Sequence, residues 1–215
     1  MIQKVDWSLC LVADAESAGG RNLLDIIREA VSGGVTLVQL RAKHLPAASF
    51  LELARKTSSL LCKKQIPLII NDRPDIALAC GAAGVHLGQE DLPIDAARQI
   101  LGKARLIGIS VSNLKEARQA EKEGADYVGL GPIFSTLTKE TPLAPLGLQG
   151  LRRVCSRLSL PVLAVGGINR DNAAGVIRDG ADGLAVVSAI MAAKNVAKAT
   201  RELRGALASV PIFKN

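Results

Sequence analysis

Four times in this chain a glycine closes one stretch of helical apolar spacing and a second apolar run begins almost at once. The copies read Gly34-Val35-Thr36-Leu37-Val38, Gly81-Ala82-Ala83-Gly84-Val85-His86-Leu87, Gly124-Ala125-Asp126-Tyr127-Val128 and Gly180-Ala181-Asp182-Gly183-Leu184-Ala185-Val186. Glycine adopts the left-handed conformation that ends a helix without steric cost, so each copy reads as a helix C-terminus feeding a strand. The copies begin 47, 43 and 56 residues apart. Each interval has room for two strand–helix units, and four double units make eight strands and eight helices.

The intervening elements follow from local signals. Ser8–Val12 opens the chain as a strand, with a helix over roughly Leu23–Ser32. The second strand ends at Gln39-Leu40-Arg41, and Ala47–Cys62 has helical spacing. Pro67-Leu68-Ile69-Ile70 is the third strand, followed by a short helix before Gly81. Pro93 suits the first residue of a helix that runs to about Leu101. Leu106–Ile109 is the fifth strand, and Asn113 with Glu116 reads as a capping box. Pro161–Val165 is the seventh, Asn169 caps the helix to about Arg178, and one final helix is expected over Ala189–Ala208. The strands are unbroken apolar runs, the pattern of strands covered on both faces. The expected fold class is α/β, a single (β/α)8 TIM barrel forming one domain over residues 1–215. No G-x-G-x-x-G follows the first strand, which disfavours an open dinucleotide-binding sheet.

Composition excludes several function classes. A chain that is 48% hydrophobic and 22% charged is globular. No run approaches the ~18 apolar residues of a membrane span, and Met1–Asp6 carries no targeting pattern. Cys10, Cys62, Cys80 and Cys155 form no C-x-x-C pair and read as reduced core thiols of a cytoplasmic protein. The net charge of +7 is scattered over helices, and aromatics are 2% of residues, too few to stack nucleic-acid bases. Small anionic molecules are the more economical partners, although scattered surface lysines also account for the charge.

A barrel of this class works at the C-terminal ends of its strands. There the sequence places Gln39, Arg41 and Lys43; Asn71 and Asp72; His86, Gln89 and Asp91; Ser110; Gly166 and Gly167; and Val187 and Ser188. The longest patternless stretch follows the sixth strand, where Gly129 and Gly131 introduce Thr136, Thr138 and Lys139. Hydroxyls, an ammonium and exposed N–H groups are the donors a phosphate needs, and a solvated turn fits the same residues. Asp72 and Asp91 are hard oxygen ligands suited to Mg²⁺ shared with phosphates, or plain helix caps. His86 is either a packed histidine or a general base. Gly167 and Ser188 precede helices whose free N–H groups attract phosphate. The inventory holds two anion pockets, one with a metal, and no nucleophile–base pair, which fits a reaction whose leaving group is a diphosphate.

The set Gln39-Leu-Arg-Ala-Lys43, Asn71-Asp72, Gly84-Val-His-Leu-Gly-Gln-Glu-Asp91, Gly108-Ile-Ser110, Thr136-Leu-Thr-Lys139, Val165-Gly-Gly-Ile168 and Val187-Ser-Ala-Ile190 resembles the thiamine phosphate synthase family, in order and over nearly the whole chain. The resemblance implies a transferase of thiamine biosynthesis that joins a pyrimidine diphosphate ester to a thiazole phosphate and releases pyrophosphate. It implies that Gln39, Arg41, Lys43, Asn71, Ser110 and Lys139 hold the pyrimidine diphosphate, with Lys139, Arg41 and Ser110 catalytic. It assigns Mg²⁺ to Asp72 and Asp91, and the thiazole phosphate to Thr136, Thr138, Gly167, Val187 and Ser188. The implied chemistry is dissociative, with a pyrimidine-stabilised cation captured by the thiazole nitrogen. Cys10 stands where the family usually has tyrosine, Ala13 where it has threonine, and Ser135 where proline is common. A thiazole tautomerase of the same barrel type and a non-catalytic phosphate-binding barrel are the alternatives. Expected partners are small phosphates and diphosphates, with no nucleic acid and no membrane; a homodimer is left open.

Overall fold

The computed structural model describes residues 5–136 and 144–208. Eight parallel strands close on themselves in sequence order: β1 (Leu9–Asp14), β2 (Leu37–Arg41), β3 (Leu68–Asn71), β4 (Gly84–Leu87), β5 (Leu106–Val111), β6 (Tyr127–Leu130), β7 (Val162–Val165) and β8 (Gly183–Val186). Helices wrap the outside: α1 (Leu23–Gly33), α2 (Ala47–Cys62), α3 (Pro74–Ala79), α4 (Ile94–Leu101), α5 (Leu114–Glu123), α6 (Gly147–Cys155), α7 (Arg170–Arg178), α8 (Ser188–Met191) and α9 (Val196–Ala208). The expected (β/α)8 barrel is what forms.

The four glycine signals are where the reading placed them. Gly34, Gly81, Gly124 and Gly180 have φ of 105°, 68°, 88° and 102°, values that side-chain-bearing residues rarely adopt. The third residue of three copies does more than fill a turn. Thr36 Oγ1 accepts from Leu9 N, Asp126 Oδ2 from Ile107 N and Asp182 Oδ2 from Val162 N, at 2.7–3.0 Å. Each side chain therefore ties the start of one strand to the strand before it.

Strand residues alternate between two apolar shells. Leu11, Val38, Leu40, Ile70, Val85, Ile107, Val128 and Leu184 pack outward under the helices. Cys10, Val12, Leu37, Ile69, Leu106, Tyr127, Leu163 and Ala185 form a separate cluster with Trp7 packed against it. This second cluster fills the barrel, as in other closed eight-stranded sheets. Inside, glycines make room for large neighbours. A Cβ on Gly108 would stand 2.1 Å from the Tyr127 ring, and one on Gly84 2.7 Å from Leu106 Cβ.

Some local expectations change. The C-terminal helix is two helices, α8 and α9, and Asn195 Oδ1 accepts from Lys198 N at the start of the second. Pro93 is the residue before α4 and not its first. Asn113 Oδ1 accepts from Glu116 N, but the backbone N–H that Glu116 accepts from is that of Ser112 and not of Asn113, whose side-chain amide donates to it instead, so the reciprocal box is displaced by one residue. The complete capping box is at α7, between Asn169 and Asn172. Cys62 is exposed at the end of α2 and is not a core thiol.

Candidate active site

The groups singled out in the sequence, where described, gather at one end of the barrel. Arg41 and Asn71 are the last residues of β2 and β3, and Ser110 is the last but one of β5. Gln39 lies two residues deeper on β2 and is buried. Lys43 follows β2 into an exposed loop, Gly167 follows β7, and Val187 and Ser188 follow β8. Thr136 ends the described part of the β6 loop. Thr138 and Lys139 lie outside the described residues.

The acidic pair is the sharpest feature. Asp72 has φ 63° and its N–H donates to His86 O at 2.8 Å, which fixes it between β3 and β4. It caps nothing: the residue before α3 is Arg73, which makes no side-chain cap bond. Asp91 does not cap α4 either; its Oδ2 accepts from Gly88 N at 2.7 Å, closing the β4 loop. Both aspartates are thus freed from the alternative role. Burial, and then the hydrogen-bonded and charged Asp91 carboxyl beside it, push Asp72 up to about 6, against the pull of Lys43 and Arg41. Two carboxyls near two cations leave a negative focus facing a positive one at the same rim.

Arg41 is not free-standing. Its Nη1 donates to Asp14 Oδ1 at 2.9 Å and to Glu16 Oε2 at 3.1 Å. Asp14 is buried and its other oxygen accepts from Ser17 Oγ. The acidic partners were missed in the sequence; an aspartate ending β1 directly beside a β2 arginine in parallel register was the available signal.

A polar chain crosses the barrel beneath the mouth. His86 Nδ1 lies 3.0 Å from Tyr127 Oη, and Nε2 lies 2.9 Å from Ser110 Oγ. The Gln39 side chain bonds the same tyrosine hydroxyl, whose ionisation burial drives far upward. The local sequence pattern marks Tyr127 only as a strand residue. The chain's single tyrosine in a buried strand was a signal, since a buried hydroxyl needs a partner.

On the opposite side, the β6 loop rests on the β7 glycines. Ile133 N donates to Val165 O and Phe134 N to Gly166 O, at 2.9 and 3.0 Å. Gly166 and Gly167 have φ of 98° and 65°, and a Cβ on Gly167 would stand 2.5 Å from Ser135 O. The two glycines therefore seat the segment that carries Thr136.

The family model for thiamine monophosphate synthase matches residues 9–190. The chain belongs to the thiamine monophosphate synthase family. Among similar proteins, the thiamine-phosphate synthase of Chloroflexus aurantiacus is 50% identical over 206 residues, covering 96% of this chain and 94% of the relative. That of Moorella thermoacetica is 48% identical over 198 residues, covering 92% and 94%. The solved thiamine phosphate pyrophosphorylase from Pyrococcus furiosus superposes with a TM-score of 0.87 at 40% identity, covering 94% of this chain and 96% of that one. Membership makes this barrel an enzyme, a transferase of the thiamine-phosphate synthase kind. Among the described residues no helix is long and apolar enough to cross a membrane.

Proposed function

We propose that the barrel mouth joins 4-amino-2-methyl-5-(diphosphooxymethyl)pyrimidine to 4-methyl-5-(2-phosphooxyethyl)thiazole, giving thiamine phosphate and pyrophosphate. The observation that carries this reading is the Asp72–Asp91 pair. It caps no helix, is held by backbone bonds and faces Arg41 and Lys43 at the strand ends. Two carboxyls side by side, with Asp91 raising the proton affinity of Asp72, are a fitting donor set for a hard divalent cation. Asp72 and Asp91 would hold Mg²⁺, which supplies charge neutralisation to a diphosphate when bound.

The chain's own groups then divide the work. The Asp14 and Glu16 contacts both use Nη1 of Arg41, which orients the guanidinium and leaves its other donors to the diphosphate. Lys43 and Asn71 flank it, and Gln39 and Ser110 line the floor for the pyrimidine. Bond breaking places negative charge on the departing diphosphate, and positioned cations stabilise that charge more than the ground state. Lys139 and Thr138 keep the roles the resemblance gives them. Thr136, the N–H of Gly167 and the Val187-Ser188 turn would hold the thiazole phosphate, so that its ring nitrogen meets the pyrimidine cation as it forms. No nucleophilic side chain is required.

Every group named comes from one chain, so the reading treats this one barrel as the catalytic unit; light scattering tests for a homodimer. We place the enzyme in the cytoplasm, in keeping with its biosynthetic family and free thiols. A tautomerase acting on the thiazole alone would leave the aspartate pair and Arg41 without a task. The test is pyrophosphate release with both substrates, with and without Mg²⁺. Release that needs both substrates and the metal is expected. Thiazole isomerisation without pyrophosphate, or binding without turnover, would overturn the reading.

A further inference from the structure

The mechanism leaves His86 unused, although it is 8% exposed and bonded through both ring nitrogens. We propose that Gln39, Tyr127, His86 and Ser110 form a hydrogen-bond chain with one direction, which locks His86 as the neutral Nε2–H tautomer and makes Ser110 a proton-donating hydroxyl at the barrel mouth. His86 is then a positioning residue. The inference rests on the reading of the mouth as the pyrimidine diphosphate pocket.

Counting protons leaves two directions, and the acceptors that the mouth must bind select one. A neutral imidazole has one N–H and one acceptor nitrogen, and the partner of one fixes the role of the other. Tyr127 has a single hydroxyl proton and lies within bonding distance of both the Gln39 amide and His86 Nδ1. In one direction the Gln39 amide gives an N–H to the tyrosine oxygen. The tyrosine proton is thereby left for Nδ1. His86 then carries its own proton on Nε2 and donates it to Ser110 Oγ, 2.9 Å away. With that lone pair filled, the serine proton points elsewhere.

The opposite direction would turn Ser110 toward the ring and present its lone pairs to the mouth. A diphosphate oxygen and a pyrimidine ring nitrogen are both acceptors, so lone pairs there would repel the substrate. The packing keeps the ring from turning. A Cβ on Gly129 would come within 3.0 Å of His86 Cε1, and Gly108 lets Tyr127 approach along the neighbouring strand. Gln89 Nε2 donates to Ser110 O at 2.7 Å, which fixes the serine backbone as well. Two inward glycines, one histidine and one tyrosine thus serve the orientation of a single hydroxyl.

The experiment has a spectroscopic arm and a kinetic arm. The chain has two histidines, and His44 is exposed. Ring ¹⁵N NMR of the free enzyme therefore reads His86 directly, with His86→Gln supplying the assignment. The expected spectrum is a neutral Nε2–H ring. Tyr127→Phe removes the Nδ1 donor, so it should populate the Nδ1–H tautomer and lower kcat/KM for the pyrimidine substrate about three- to tenfold, the range of one neutral hydrogen bond.

Glutamine places an amide N–H near the Nε2 position, whereas asparagine places one near Nδ1. Both leave comparable packing defects, so His86→Gln should retain at least about threefold more activity than His86→Asn. A ring protonated at Nδ1 in the wild type would overturn the proposal, as would equal activity of the two His86 variants with matched thermal unfolding. If the tautomer is as expected but no pyrophosphate is released by the wild type, the functional reading falls while the direction of the chain stands.

Discussion

Asp72 sits in a conformation that few residues with a side chain tolerate, at φ 63°, where short polar side chains are the usual exception. Asparagine shares that tolerance, so Asp72→Asn removes the charge and leaves the backbone in place. Under the proposed role, turnover should fall by orders of magnitude, with partial recovery in excess Mg²⁺. Near-normal turnover in a pyrophosphate assay would remove Asp72 from the site. Stability gives an independent reading in metal-free protein. The folded-state value of about 6 lies above the usual 3.8 because of burial and Asp91. The folded protein therefore binds the extra proton between these values, and stability is lost as pH rises from about 4 through about 6. Urea midpoints across that window should decline in the wild type and decline less in Asp72→Asn. A wild type that gains stability over this window through other groups should still show the difference between the two proteins.

Arg41 carries two burdens at the same scale. Arg41→Ala should weaken the pyrimidine substrate, and it should also strand the buried Asp14 carboxyl. The destabilisation should be roughly 2–3 kcal/mol, below the cost for a fully buried pair because the arginine side chain is 20% exposed. Chemical unfolding beside Michaelis kinetics separates the two effects. Unchanged stability would show that Asp14 is served by Ser17 and solvent alone.

At the level of elements, the Gly166-Gly167 turn, proposed above as a phosphate cradle, also seats a loop. The β6 loop is hydrogen-bonded to it, and a Cβ on Gly167 would meet both Ser135 O and Phe134 Cβ below 3.0 Å. Gly167→Ala should therefore displace the Phe134–Thr136 segment, raise KM for the thiazole substrate tenfold or more, and cost about 1–3 kcal/mol of stability. Equal effects on both substrates would mean that the turn organises the whole mouth and not one pocket. This contact also shows what a sequence reading can reach. Helix ends, strand order and the rim residues were legible because each follows from neighbours in the chain: glycine after a helix, an apolar run, a polar residue at its end. The seating of one loop on another, the Asp14–Arg41 pair and the His86–Tyr127–Ser110 contacts join residues 24 to 41 positions apart, or loops from different strands. They depend on inward register and on which glycines leave space, and neither is fixed until the barrel closes. The split of the last helix was missed for a local reason. Ala189–Ala208 keeps an apolar spacing, and Asn195 restarts the helix without a glycine or proline to mark the break.

Across the whole molecule, the proposed function divides the two rims of the barrel into one for chemistry and one for stability. The C-terminal rim gathers the aspartate pair, the cations and the glycine turn. The opposite rim carries side chains that only tie strands together. Asp126 shows this best: Oδ2 accepts from Ile107 N at 2.7 Å and from Arg98 Nη2 at 2.6 Å, joining the start of β6 to β5 and to α4. Removing it leaves a strand N–H unpaired and takes the carboxylate from a half-buried guanidinium that keeps only the Gly102, Arg105 and Gly124 carbonyls, and both losses cost free energy only in the folded state. Asp126→Ala should lower stability by about 2 kcal/mol, which for a chain of this size is roughly 4–8 °C in Tm. Its kcat and both KM values should remain within about twofold of the wild type, because no group at the catalytic rim touches it. Thermal unfolding followed by circular dichroism, beside the pyrophosphate assay at a temperature where both proteins are folded, measures the separation. A variant that kept its Tm but lost turnover would show that the lower rim communicates with the site, and the division of labour between the two ends would be wrong.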